Sequence, residues 1–415
     1  MNQNSKLNNK FLIAIIFIWI ALSFYSETEG KWFNNYLLNP VIGTGYSNSQ
    51  MSIMVSVSAI VGTFAFIFWG IISDNLRTKF GRRKPIYVIG TISTAFFVIL
   101  FGKFTNLITL IIIDGIIIGI TSNMFHSSSK AMIPDLFEKP HRGRINFFIQ
   151  IGGMIGAGFI WILAFVFKGF NQDNASYTKS QFDIIFSLCA FLLILSAILV
   201  FILIKEPQPQ NPPRKFFQDL KLIFNINEMK KHKDFLKLFV ASLFTIMSLN
   251  AYKPWILKIF EQIDYPDNLI DIVIPASISI SIVIFIFTKF RNIVDKIGRK
   301  RPTIICIILM SISCLSLAFC NFNFPILIIS LTSLISLSVG LNISLDSWTQ
   351  DLLPSESRGK FLGIINIGSA GFQIPGVLVA GFFADYFEQL FIFLVAAIYI
   401  LISIPIFLKV PETLT

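Results

Sequence analysis

The sequence predicts an all-α membrane protein of twelve transmembrane helices, arranged as two pseudo-symmetric six-helix halves. Three observations predict it. The 415 residues are 54% apolar and only 14% charged, with a mean hydropathy of +0.72, far from the averages of soluble chains. Apolar stretches of about 20 residues, the length that crosses roughly 30 Å of hydrocarbon, recur along nearly the whole chain with short polar loops between them. A pair of charged loop elements also occurs twice, at almost the same offset.

Taken in order, the spans fall near 11–37, 50–72, 85–102, 104–126, 145–167, 182–204, 235–257, 269–288, 302–321, 324–345, 360–383 and 388–408. The polar start carries Lys6 and Lys10, and the apolar run after it shows no small-residue cleavage site before Ser26, so it is expected to be the first span and not a removable leader. Phe11 to Tyr25 is too short to cross alone, and the first helix is therefore expected to continue through Ser26-Glu27-Thr28-Glu29-Gly30. Cys189, Cys306, Cys314 and Cys320 lie inside apolar runs, with no CxxC or Cys/His pattern, and point to packing instead of disulfides or metal.

The formal charge of +11 is distributed by topology. With the N-terminus inside, only Lys31, Lys103, Lys168, Lys179, Lys253 and Lys258 of the 34 Lys and Arg fall outside cytoplasmic segments. The positive-inside rule thus predicts both termini on the cytoplasmic side, and the plasma membrane is the expected location. Basic patches of this kind sit beside anionic lipid, and nucleic-acid binding is not expected.

The repeat divides the chain. Gly81-Arg82-Arg83-Lys84-Pro85 after span 2 returns as Gly298-Arg299-Lys300-Arg301-Pro302 after span 8, an offset of 217 residues. Asp135-Leu136 followed by Arg142-Gly143-Arg144 after span 4 returns as Asp351-Leu352 followed by Arg358-Gly359-Lys360 after span 10, an offset of 216. The expected domains are an N-terminal half at 1–204, a cytoplasmic linker at 205–234 and a C-terminal half at 235–415. The linker opens on a proline cluster and continues as a basic stretch with Phe216, Leu220, Ile223 and Phe224 at the spacing of a surface helix.

These loops resemble the signature of the major facilitator superfamily, a basic Gly-Arg-rich loop between helices 2 and 3 with a weaker copy between helices 8 and 9. In the first loop Asp74 stands seven residues before Gly81, whereas Asp295 stands three before Gly298, the commoner spacing. The longer form is similar to the sugar:cation symporters, the glycoside-pentoside-hexuronide and sucrose-type transporters. The resemblance implies alternating access between two halves, a monomer, and no cofactor. It also implies that Asp74, Gly81, Arg82, Arg83, Asp135 and Arg142, with Asp295, Gly298, Arg299, Asp351 and Arg358, gate the cytoplasmic side. The alternative is that the Lys and Arg only set topology, which would not require the aspartate or the glycine.

Ionisable groups at membrane depth are costly, and each is a functional hypothesis. Asp114 lies about 10 Å into an apolar run at 1.5 Å per residue. A carboxyl group there can exchange a proton, as a coupling residue must; the alternative is a structural partner for Lys253. The resemblance favours transport, because both symporter groups use an Asp in helix 4. On a regular helix Glu27 sits roughly 24 Å from the inner end and Glu29 about 3 Å further, on different faces, and Glu27 is expected to face the cavity. The nearby Tyr25, Trp32, Phe33 and Tyr36 fit either sugar stacking or interface anchoring. In span 7, Asn250-Ala251-Tyr252-Lys253-Pro254 should break the helix, making Asn250, Tyr252 and Lys253 substrate candidates. Gln373, Gln150 and Asn366 are weaker ones, and His126 at the inner end of span 4 is an interfacial residue or a proton relay.

Gly152, Gly153, Gly156 and Gly158, with Gly368, Gly371, Gly376 and Gly381, are expected to form sliding surfaces between the halves. Span 5 lacks the Gly-Pro pair of drug:proton antiporters, and span 4 lacks their Arg. Span 2 has no charged residue, where sodium-using glycoside symporters carry acids, so a proton is the expected coupling ion. The preferred function is proton-coupled uptake of a sugar or small polyol. The alternatives are export or exchange of an amphipathic, lipid-like or drug-like molecule, and a non-transporting receptor or scaffold. No Ser/His/Asp, metal or nucleotide-binding constellation points to an enzyme.

Overall fold

The computed structural model describes residues 9–136, 142–170, 176–206, 232–264, 266, 268–352 and 358–413. Among these residues there is no strand, and the chain is nearly all helix. Eleven helices are long and apolar enough to cross a membrane: α1 (Leu12–Leu38), α2 (Asn48–Asn75), α3 (Lys84–Phe101), α4 (Leu107–Ile133), α5 (Phe148–Lys168), α6 (Lys179–Leu203), α7 (Lys233–Glu261), and, after α8, α9 (Lys300–Ala318), α10 (Phe324–Leu352), α11 (Ile367–Tyr386) and α12 (Gln389–Leu408). The intervening α8 (Leu269–Ile297) contains a shorter apolar stretch, Ile270–Ile286. Among the described residues these are twelve helices, those of an integral, multi-pass membrane protein.

Helix surfaces carry the mark of a lipid solvent. On α3, Ile89, Ile92, Phe96 and Ile99 recur three or four residues apart and are 40% to 62% exposed, while Tyr87, Thr91, Thr94 and Val98 on the other face are fully buried. In water such a stripe would drive aggregation; in hydrocarbon it is the normal outer surface. The four cysteines are all buried and free.

The chain divides into two compact units, one made of Met1–Tyr46 and Val57–Leu220, the other of Ser47–Ser56 and Lys221–Thr415. In the first unit α1 packs against α5 and α6, and α3 against α4 and α6. In the second the same pattern returns, with α7 against α11 and α12, and α9 against α10 and α12. The first turns of α2 belong to the second unit, where Asp385 of α11 accepts the backbone N–H groups of Asn48 (2.7 Å) and Ser49 (2.8 Å) and so caps that helix.

Two expectations need correction. α4 and α10 run on past the apolar stretch, so Asp135 and Asp351 occupy the last helical turns and not loops; polar residues outside the hydrocarbon cost a helix nothing. Gly152, Gly156, Gly368 and Gly376 also face helices of their own half, whereas Gly381 meets Ser52 of α2. A Cβ on Gly152 would lie 2.6 Å from the Ile16 carbonyl oxygen, and one on Gly156 would strike the Ile20 carbonyl, both on α1 of the same unit. In the second unit Gly376 presses on the Met247 carbonyl and Gly368 on Phe239, both on α7. They let backbones touch within each unit. Most of the predicted linker, residues 207–231 with Phe216, Leu220, Ile223 and Phe224, lies outside the described residues.

Candidate functional site

The interior of the first unit is built around two wide turns. A helix with one residue too many per turn rarely persists, and such π-helical turns collect at functional sites. Here one spans Thr28–Phe33 in α1 and the other Ile112–Ile118 in α4, and each carries an acid, Glu29 and Asp114. Asp114 is 3% exposed, its Oδ1 has no hydrogen-bond partner, and its charged neighbour is Glu29. Glu29 is half-buried and receives the Ser58 hydroxyl from α2 at 3.5 Å. Beside them Tyr25 is fully buried; its hydroxyl makes no aligned hydrogen bond yet has the Glu29 carboxylate and the Ser122 hydroxyl as polar neighbours.

Glu27, the acid expected to face a cavity, is otherwise engaged. It accepts the Trp161 indole N–H of α5 at 3.0 Å and pairs with Lys31 one turn on, whose ammonium also lies 5.0 Å from the Trp161 ring centre. Glu29, in the wide turn of α1, is the acid that has Asp114 of α4 as a charged neighbour. Trp32, Phe33 and Tyr36 are buried in an aromatic cluster with Phe101, Phe182 and Phe186, Phe33 stacking on Phe101 at 4.0 Å, so these rings build the core and present no face to a sugar.

In the second unit Pro254 does interrupt α7, where Lys253–Trp255 forms a tight 3-10 turn. Tyr252 is buried against Phe393, their ring centres 5.6 Å apart, and Asn250 returns its amide to the Ile246 carbonyl at 2.8 Å. Lys253 is exposed on the turn, and Gln373 is half-buried on α11. Gln150 is exposed. The side chain of Asn366 lies outside the described part. Among the described residues no cluster of three or more His, Cys, Asp or Glu is arranged to hold a metal ion.

The Gly-Arg loop of the first unit forms a tight charge network. Arg82 places Nη2 2.5 Å from Asp135 Oδ1, and Arg83, only 6% exposed, binds Asp135 through Nε at 3.1 Å and also reaches Asp74 and Ser73. Glu206, just past α6, accepts the backbone N–H groups of Arg82 (2.7 Å), Arg83 (2.9 Å) and Lys84 (2.6 Å). A carboxylate at the exposed N–H groups of a helix start is favoured by both hydrogen bonding and the helix dipole. Gly81 must be glycine here, since its φ is +106° and a Cβ would strike the Glu206 carboxylate. The second unit repeats the device: Glu412, just past α12, accepts from Arg299 and Lys300 (both 2.9 Å), Gly298 has φ +101°, and Arg299 Nε lies 3.3 Å from Asp351. The side chains of Arg142, Asp295 and Arg358 lie outside the described part. Glu206 and Glu412 escape the sequence reading, although a Glu adjoining a proline just past the last helix of each half was the available signal.

The sequence profile of the Major Facilitator Superfamily matches residues 11–344 and 290–415. The chain belongs to this superfamily. No curated protein matches it significantly in sequence. Similar solved structures include a single-site variant of the nucleoside transporter NupG, with a TM-score of 0.74 and 17% identity over 97% of this chain and 100% of that one. The inward-open xylose transporter XylE from E. coli aligns at 0.65 and 18% identity, over 97% of each chain. A bacterial homologue of the human lysosomal transporter Spinster aligns at 0.67 and 11% identity, over 98% of this chain and 97% of the other. At these identities the likeness is one of fold, and as a member of the superfamily the chain is a transporter.

Proposed function

We propose that this transporter is a proton-coupled symporter of a sugar or small polyol, working by alternating access between an N-terminal half (1–204) and a C-terminal half (235–415) joined by the linker 205–234. The observation that carries the reading is the carboxyl pair Asp114 and Glu29, set at depth on two wide turns with an Asp114 oxygen left unpaired. Like charges in a poorly solvated site repel, which favours one proton held between two such acids. One of them holds a proton, and a proton moving down a membrane potential gains about 2.3 kcal/mol per 100 mV. Asn250, Tyr252, Lys253 and Gln373 are the substrate-side candidates of the second half, and Glu27, tied to Lys31 and Trp161, positions α1 against α5. The Gly-Arg networks gate the cytoplasmic face, with both termini on that side of the plasma membrane, as the distribution of Lys and Arg supports. The solved neighbours named for xylose and nucleoside transport support a hydroxyl-rich solute, and nucleosides belong in the test because they carry a sugar.

The test is uptake of labelled sugars, polyols and nucleosides into proteoliposomes under an imposed proton gradient, comparing the parent with Asp114→Asn and Glu29→Gln. Gradient-dependent uptake lost in both variants supports the pair as the coupling site. Uptake that survives in both removes it. A parent that accumulates no member of the panel moves exchange of an amphipathic solute to first place.

A further inference from the structure

A proton held deep in the first half needs a way to water, and α4 provides a polar line in the direction of the Gly-Arg loop. Ser122, His126 and Lys130 recur at four-residue steps on one face of the regular helix, past Asp114 and the wide turn that ends at Ile118. His126 stands about 18 Å along the helix axis from Asp114. Long side chains on a helix lean back towards its N-terminus, which brings the His126 ring over Ser122. Ser122 is buried and His126 half-buried, while Lys130 is exposed. The helix continues past its apolar span to Leu136, and Asp135 in its last turn sits inside the Arg82 and Arg83 network.

Tyr25 of α1 joins this line to the acids. Its hydroxyl lies among Glu29, Asp114 and Ser122 without an aligned hydrogen bond, and its ring centre is 5.9 Å from that of His126. The same imidazole packs on Phe125 at 4.6 Å, which fixes the plane of the ring. An unsatisfied hydroxyl buried at the head of a polar line is costly unless it serves a ligand or a proton.

We propose that Tyr25, Ser122 and His126 relay the proton between the Asp114–Glu29 pair and water on the side of the Gly-Arg loop. The inference rests on the coupling reading above. A carboxyl of the pair passes its proton to the Tyr25 oxygen as the Tyr25 hydroxyl gives its own to Ser122. Ser122 passes one to one imidazole nitrogen of His126 as the N–H of the other ring nitrogen is released to water, so the ring stays neutral. Each O–H or N–H bond broken is matched by one formed, and the net change is one proton moved from the pair to water. Lys130 on α4 and Tyr25 from α1 are the ionisable groups that His126 faces.

The experiment needs no substrate. The full chain in nanodiscs is given a rapid pH jump, and the infrared carbonyl stretch of protonated carboxyl groups is followed in time; Asp114→Asn and Glu29→Gln assign the band to the pair. In Tyr25→Phe and in His126→Gln the band should reach the parental amplitude about a hundredfold or more slowly, the scale of a lost proton-transfer group. Parental rates in both variants overturn the relay. A reduced amplitude at the parental rate also overturns it, since it marks a structural role. If the parent shows no titrating band from the pair, the coupling reading itself falls, and the relay with it.

Discussion

The two halves share their loops but not their interiors. Each loop sets a glycine at positive φ against a glutamate just past the last helix of its half, and each ties an arginine to the aspartate in the last turn of α4 or α10. Deep in the helices the correspondence stops. The position 216 residues after Asp114 is Ser330, whose hydroxyl is satisfied by Ser316 at 3.0 Å, and α10 is a regular helix there where α4 takes a wide turn. α1 widens at Glu29, whereas α7 tightens at Lys253–Trp255. The loop geometry is kept in both units, while an acid on a wide turn, Glu29 or Asp114, occurs only in the first among the described residues. On the proposed function, gating would be a property of the repeat and coupling a property of the first copy.

The sharpest way to break that contrast is to exchange the deep residues for neutral ones. Asp114→Asn should lower gradient-driven uptake about a hundredfold or more while leaving the folded yield intact, because the amide is isosteric and Asp114 Oδ1 has no bond to lose. Ser330→Ala should leave driven uptake within about twofold, since it removes a single hydroxyl contact. Comparable losses in the two variants would erase the asymmetry.

The likeness of the loops can be tested by stability. Gly81→Ala and Gly298→Ala should each cost roughly 1–3 kcal/mol, from positive φ and from collision with a carboxylate, read as the unfolding midpoint in detergent. A half that tolerates alanine would show that its loop no longer holds the shared geometry. Gly156→Ala and Gly376→Ala should cost about 1–2 kcal/mol each by forcing α1 from α5 and α7 from α11, with transport falling in step with stability. The smallest effect separates the glutamates: Glu206→Gln should lower the midpoint more than Glu412→Gln, by about 1 kcal/mol, because Glu206 gathers three backbone N–H groups and Glu412 two from the corresponding helix start.

Spans, repeat and loop signature were legible in the sequence because they depend on composition and on local order. So was Asp114, as a charge that no loop assignment removes from the membrane. The different surroundings of Glu27 and Glu29 were not, since Glu29 sits in a wide turn that hydrophobic periodicity does not register. The aromatic residues of α1 were ambiguous for a related reason, as a ring that stacks on sugar and one that fills a core look alike until its neighbours are known. Glu206 and Glu412 were hidden because they act on loops 122–124 and 112–113 residues away, at a meeting point set by tertiary packing.

The burial of all four cysteines has a practical consequence. Cys189, Cys306 and Cys314 are fully shielded and Cys320 is 4% exposed, so the native chain offers thiol reagents almost nothing to attack. A single cysteine introduced on the exposed side of either half would therefore be the one site to take a fluorophore or spin label. Distances reporting on each step of a transport cycle can then be measured on the wild-type background, without first stripping the protein of residues that fill its core.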